Sequence, residues 1–204
     1  MKRLTNFVIT RTGLICLIGL GGLLFAVAFA TSGHDLTYKS VESKVSLSSI
    51  NMSNEAKLEA ANFACETSVV LDGDQVSDIS GFSFNIPITQ FKHADPLIED
   101  AIRQLLASGG AKYISFKQHH VMVLPTMKMI HLIGELNIAK VSRPVAFQLE
   151  FDFNKNKELV LKGKQAIQLS DFGIVIPEDL QVHFKDDFNI DLSAVMTEKM
   201  DRSL

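Results

Sequence analysis

The sequence predicts a mainly β protein of about eight long antiparallel strands, closed as a barrel or stacked as a two-sheet sandwich, with one helix inserted midway. Several segments near ten residues long alternate apolar and polar side chains, as strands with one buried and one wet face do. Turn residues separate these segments. One stretch between them instead spaces its apolar residues by three and four, the helical period.

The first thirty residues stand apart. Lys2, Arg3 and Arg11 form a basic start, and Gly13 to Ala30 is an uncharged run closing on Ala26-Val27-Ala28-Phe29-Ala30. Small residues at alternate positions there predict signal-peptide cleavage near Ala30. The run is also long enough to span a bilayer, so an uncleaved membrane anchor is the alternative. Cys16 follows Ile15 rather than a small residue, which argues against a lipoprotein site. The chain is thus read as a leader, 1–30, and a single domain, 31–204, exported to the periplasm or beyond.

In that domain Tyr38–Ile50 reads as an opening hairpin or strand pair, with Val41, Val45 and Leu47 apolar between lysines and serines. Leu58–Leu71 suggests one or two strands ending in a turn at Asp72-Gly73-Asp74. Over Gly81–Ile88, Phe82, Phe84, Ile86 and Ile88 share a face, and Pro87 lies opposite, near the strand's end.

The helix is expected over Pro96–Ser108. Asp95 suits the N-cap and Pro96 the first helical position, while Glu99 and Asp100 place negative charge in the first turn. Leu97, Ala101, Leu105 and Ile98, Ile102, Leu106 supply the apolar side, and Gly109-Gly110 ends it.

A strand follows over Lys112–Gln118 with Ile114 and Phe116 on its apolar face, and Val121–Ile130 reads as loop or poorly defined strand. Next come two long strands and a turn from Leu132 to Phe153. Val145, Phe147, Leu149, Phe151 and Phe153 point one way, and Ala146, Gln148, Glu150 and Asp152 the other. Glu158–Leu169 repeats the pattern. In the last strand Phe188, Ile190, Leu192, Ala194 and Met196 share a face.

Charge and composition exclude several functions. The whole chain carries −3, and removing the leader's three cations leaves −6, with no basic run to bind nucleic acid. Only Cys65 remains in the domain, so no internal disulfide can form and Cys65 reads as a small buried hydrophobe. Asn51-Met52-Ser53 fits a glycosylation acceptor, relevant only in a eukaryotic host.

The paired His119-His120 is the nearest approach to a metal motif, but neighbours on a strand point to opposite faces and cannot readily chelate one ion. No serine sits in a Gly-x-Ser-x-Gly elbow, and Asp186-Asp187 reads as a turn rather than a catalytic pair. No catalytic residue, metal ligand or cofactor is assigned, and the domain is read as a non-enzyme.

The motif order resembles the YceI-like family of lipid or polyisoprenoid carriers. The matches are Tyr38, the helix, Tyr113-Ile114-Ser115-Phe116 and Gly134-Glu135-Leu136-Asn137-Ile138, then Arg143-Pro144-Val145. Ser170-Asp171-Phe172-Gly173-Ile174 and a last strand containing Asp186 to Leu192 complete the order, which spans roughly 36–197 and is dense from about 95 onward. Two departures stand out. The turn before Arg143 is Ala139-Lys140-Val141-Ser142 where the family usually begins with Gly, and Trp is absent. The Ala is read as tolerable in a turn that does not require positive φ.

The resemblance implies a lipocalin-like, eight-stranded antiparallel barrel holding an isoprenoid, quinone-like or fatty molecule in an apolar lumen for periplasmic carriage or buffering. Its candidate lining is Phe82, Phe84, Ile86, Ile114, Phe116, Leu132, Leu136, Ile138, Val145, Phe147, Leu149, Phe151, Leu161, Ile167, Ile190 and Leu192. Arg143, at the barrel mouth, is the candidate contact for a lipid headgroup or quinone oxygen. Membrane contact through residues 13–30 follows if the leader is retained, and a homodimer is compatible with the sequence. The same apolar faces would also form a packed core, so an interaction module with no ligand is the competing reading.

Overall fold

A computed structural model of the chain describes residues 34–49, 57–73 and 75–199. The leader, the Asn51-Met52-Ser53 site and Ile50 lie outside these residues. The strands are β1 (His34–Ser49), β2 (Lys57–Ala61), β3 (Ala64–Asp72), β4 (Gln75–Pro87), β5 (Tyr113–Leu124), β6 (Met129–Ile138), β7 (Val141–Phe153), β8 (Leu159–Gln168) and β9 (Asp187–Glu198). Helix α1 (Pro96–Leu106) connects β4 to β5.

Every strand pairing is antiparallel, in the order β2-β1-β3-β4-β5-β6-β7-β8-β9, and β1 also pairs with β9. That last ladder closes the sheet on itself. The nine strands fill eight wall positions, because β2 and β3 share one edge of β1: β2 pairs with Lys44–Ser48 and β3 with His34–Lys39. The architecture is a closed eight-stranded barrel, not a sandwich.

The break between β2 and β3 sits opposite a kink in β1. Asn62 adopts φ 58°, and the β1–β9 register shifts between Ser40 and Glu42. Serine hydroxyls replace the interrupted ladder: Ser40 and Ser43 both donate to the Phe63 carbonyl, at 3.1 and 2.8 Å. The Cys65 amide in turn donates to Ser40 Oγ at 3.1 Å. A bulge changes which residues face inward. Tyr38 is buried before it, Val45 and Leu47 are buried after it, and Val41 is exposed.

The helix starts as the sequence implies, with Asp95 accepting from the Leu97 amide and Pro96 in the first turn. Ile102 and Leu106 are buried, but Leu97 points to solvent, 81 % exposed. The helix ends at Leu106 rather than Ser108, and Ser108–Gly110 forms a separate 3-10 turn with both glycines at positive φ. Arg103 fixes the helix to the chain before it, donating from Nε to Phe91 O and from Nη2 to Thr89 O at 2.8 and 2.7 Å.

One expectation about turns is decided and one changes. Of the two readings of Val121–Ile130, strand holds rather than loop: β5 and β6 continue as a hairpin with Val121–Leu124 paired to Met129–Leu132, and Pro125–Met127 forms a 3-10 turn. At the β6–β7 turn, Ala139 and Lys140 have φ of 50° and 64° between the paired Ile138 and Val141. This two-residue hairpin therefore demands positive φ at both central positions, which glycine or asparagine meets more easily than Ala or Lys.

Candidate functional site

The inward faces of the strands meet in one continuous core. Every lining candidate except Val145 is buried. Val145 is half-buried because the β7–β8 ladder begins only at Gln148 and Lys164, so Val141–Phe147 have no β8 partner. The turn Leu169–Phe172 lies beside that splay.

At the centre are aromatic rings from three strands. Phe84 on β4 stacks on Phe116 of β5 at 5.6 Å, and Phe147 of β7 meets Phe116 edge-on at 5.2 Å. Phe82 and Phe63 extend the cluster, each within 6.4 Å of Phe84. Such edge-to-face and offset pairs add stability beyond their buried area. Phe63 was not legible as a lining residue, since it stands between β2 and β3 outside any alternating run.

The rings fill the barrel at this level. A void large enough for water, closed or open, would leave its walls partly accessible. Phe82, Leu132, Leu136, Ile138 and Leu149 are each 0 % exposed. Glycine aids the close fit: a Cβ on Gly163 would lie 2.1 Å from Leu149 Cδ2, and one on Gly134 would lie 2.6 Å from Phe116 Cζ. A cleft of about 620 Å³ exists outside the wall, but Lys44, Lys57, Glu150, Lys162, Lys164 and Asp191 line it, and it does not reach the ring cluster.

Polar groups near the core are tied to the backbone. Thr67 donates to Ser80 O at 3.1 Å, across another bulge. Cys65 is 1 % exposed and burial pushes its thiol up to about 12, so the sulfur behaves as a small apolar group. Burial, with the nearby Glu198 carboxylate, also raises the Tyr38 phenol.

Arg143 is exposed, and its Nε donates to Asp171 O at 2.7 Å, fastening the turn after β8 to β7. Ser170 bonds the Asp186 carboxylate through both its amide and its hydroxyl, which makes Asp186 a loop clasp. His119 and His120 are both exposed beside a register shift in β5. Among the described residues no three His, Cys, Asp or Glu side chains converge as a metal site.

The sequence matches the YceI-like domain over residues 36–196. The chain belongs to the YceI-like domain family. Solved structures agree on the fold. Burkholderia cenocepacia BcnA superposes with a TM-score of 0.64 at 17 % identity, covering 76 % of this chain and 96 % of its own. The Campylobacter jejuni YCEI protein gives 0.56 at 16 % identity, with coverages of 74 % and 89 %. A polyisoprenoid binding domain from Saccharophagus degradans, implicated in plant cell wall breakdown, gives 0.56 at 9 % identity, with coverages of 80 % and 99 %. No curated protein matches the sequence. In this YceI-like barrel the family's Arg-Pro-Val segment lies where β7 leaves β8, at one end of the wall.

Proposed function

We propose that this YceI-like barrel is a non-enzymatic binding protein that takes one long apolar molecule, an isoprenoid, quinone or fatty chain, into its interior. Family membership is the observation that carries this reading, supported by the fold it has in common with a polyisoprenoid binding domain. The interior agrees chemically: its walls are aliphatic and aromatic, and its buried Ser43 and Thr67 bond backbone carbonyls. Selection among such ligands would rest on girth rather than hydrogen bonding.

Because the rings touch, binding requires Phe82, Phe84, Phe116 and Phe147 to part around the guest. Each isoprene unit brings the equivalent of about five CH₂ groups, or roughly 4 kcal/mol of transfer free energy. A few units therefore exceed the cost of immobilising the chain, which is roughly 4–15 kcal/mol, with a margin for moving the rings. On this reading the protein works in the periplasm, diffusing if its leader is removed near Ala30 and tethered if it is kept.

The filled interior favours one other reading, a packed interaction module of the same fold. Replacing Leu149 by Arg separates the two. In a binding barrel Leu149→Arg abolishes saturable uptake of a polarity-sensitive prenyl dye while the circular dichroism stays β-type. Equal uptake by folded Leu149→Arg and the parent protein would mean that the dye sits outside the barrel.

A further inference from the structure

We infer that the β4–β5 seam is the door through which an apolar ligand reaches the interior, and that Gln118 is its latch; this rests on the binding reading above. The β4–β5 ladder is among the shortest in the closed wall, pairing Ser83–Pro87 with Tyr113–Lys117 and adding one bond from the Ile88 amide to the Lys112 carbonyl at 3.0 Å. Beyond it the strands part: Gln75–Ser80 pair only with β3, and Val121–Leu124 only with β6. Both strands are distorted where they separate. Gly81 has φ 64°, the β3–β4 register shifts beside it, and the β5–β6 register shifts between Gln118 and His120.

At that point a side chain takes over from the backbone. The Phe82 amide donates to Gln118 Oε1 at 2.8 Å, and Gln118 Nε2 donates to Ile79 O at 3.2 Å. A primary amide has the donor and acceptor of a peptide group, so the Gln118 side chain continues the ladder for one step, pairing the β4 backbone in place of the β5 backbone. It is a weaker closure than a strand pair, since one side-chain rotation releases both bonds.

What lies on each side of the latch fits the role. Directly inside, Phe82 of β4 faces Phe116 of β5 at 6.0 Å, so separating the strands there opens the ring cluster itself. On its outer side, the β5–β6 hairpin that carries the latch exposes Met122, Met127 and Ile133, each about half exposed or more. These put apolar side chains, two of them flexible methionines, on the strand pair that borders the seam. The β7–β8 splay differs, because Arg143 fastens the following turn beside it.

The test is stopped-flow uptake and release of a dansylated farnesyl chain by the full-length protein and by Gln118→Leu, which keeps the size but loses both bonds. The latch predicts that both rates rise together by about tenfold, with the dissociation constant moving less than about twofold. It also predicts faster hydrogen exchange at the Phe82 amide in Gln118→Leu. Unchanged rates, or a change confined to release, would overturn the door while leaving ligand binding intact. Failure of the parent protein to bind the probe would overturn the binding reading and the door with it. If Gln118→Leu does not fold, Gln118→Glu keeps the acceptor for Phe82, loses the donor to Ile79, and must accelerate both rates to a lesser degree.

Discussion

Single positions in this barrel are held to backbone conformations that their side chains do not favour. Lys140 is the clearest case, exposed and at φ 64° in a two-residue hairpin. Removing its Cβ relieves the left-handed penalty, so Lys140→Gly is expected to raise stability by about 1 kcal/mol. Urea unfolding should show this as a higher midpoint with an unchanged slope; a lower midpoint would mean the lysine stem contributes more packing than its backbone costs. The turn was legible here but its positive φ was not, because an Ala-Lys pair lacks the glycine or asparagine that marks such a turn. By contrast Phe84, Phe116, Phe147 and Leu149 were legible, since strict alternation leaves little choice of face.

Elements were legible wherever only one of their faces is apolar. The strands β7, β8 and β9 followed their alternation, and α1 followed its cap. Val121–Leu124 could not be told from loop because Val, Met, Val and Leu are apolar on both faces, which erases the period. The outward face of Val41 was not legible because a bulge shifts phase with no marker beyond the serines that bridge it.

The helix also carries a pH-dependent contact. The His93 amide, donating to Glu99 at 2.9 Å, is the main influence holding that carboxyl below its ordinary 4.5, helped by Lys92 and Arg103. A depressed carboxyl stabilises the fold above its unfolded pKa, and that contribution disappears as the pH falls through the lower folded value. Glu99→Gln should therefore be less stable than the parent at neutral pH, and the gap should narrow on acidification below about 4.5. A gap that stays constant down to acid pH would assign the loss to packing instead.

For the whole molecule, closure and filling are separate achievements. Closure follows from β1 reaching both β3 and β9, a long-range pairing that alternation alone cannot distinguish from a sandwich. The family motifs pointed to the barrel, and the ladder between β1 and β9 establishes it. Filling was not legible at all, because the residues that line a cavity and those that pack a core have the same composition. The structure shows the rings in contact, so the proposed guest must displace side chains rather than occupy standing space.

The measurement that tests this most directly is native mass spectrometry of the protein purified without detergent and incubated with a long-chain prenyl quinone. The account predicts one discrete added mass per barrel, lost on denaturation and reduced by Leu149→Arg. A bare protein mass at every quinone concentration would contradict it and leave a packed interaction module.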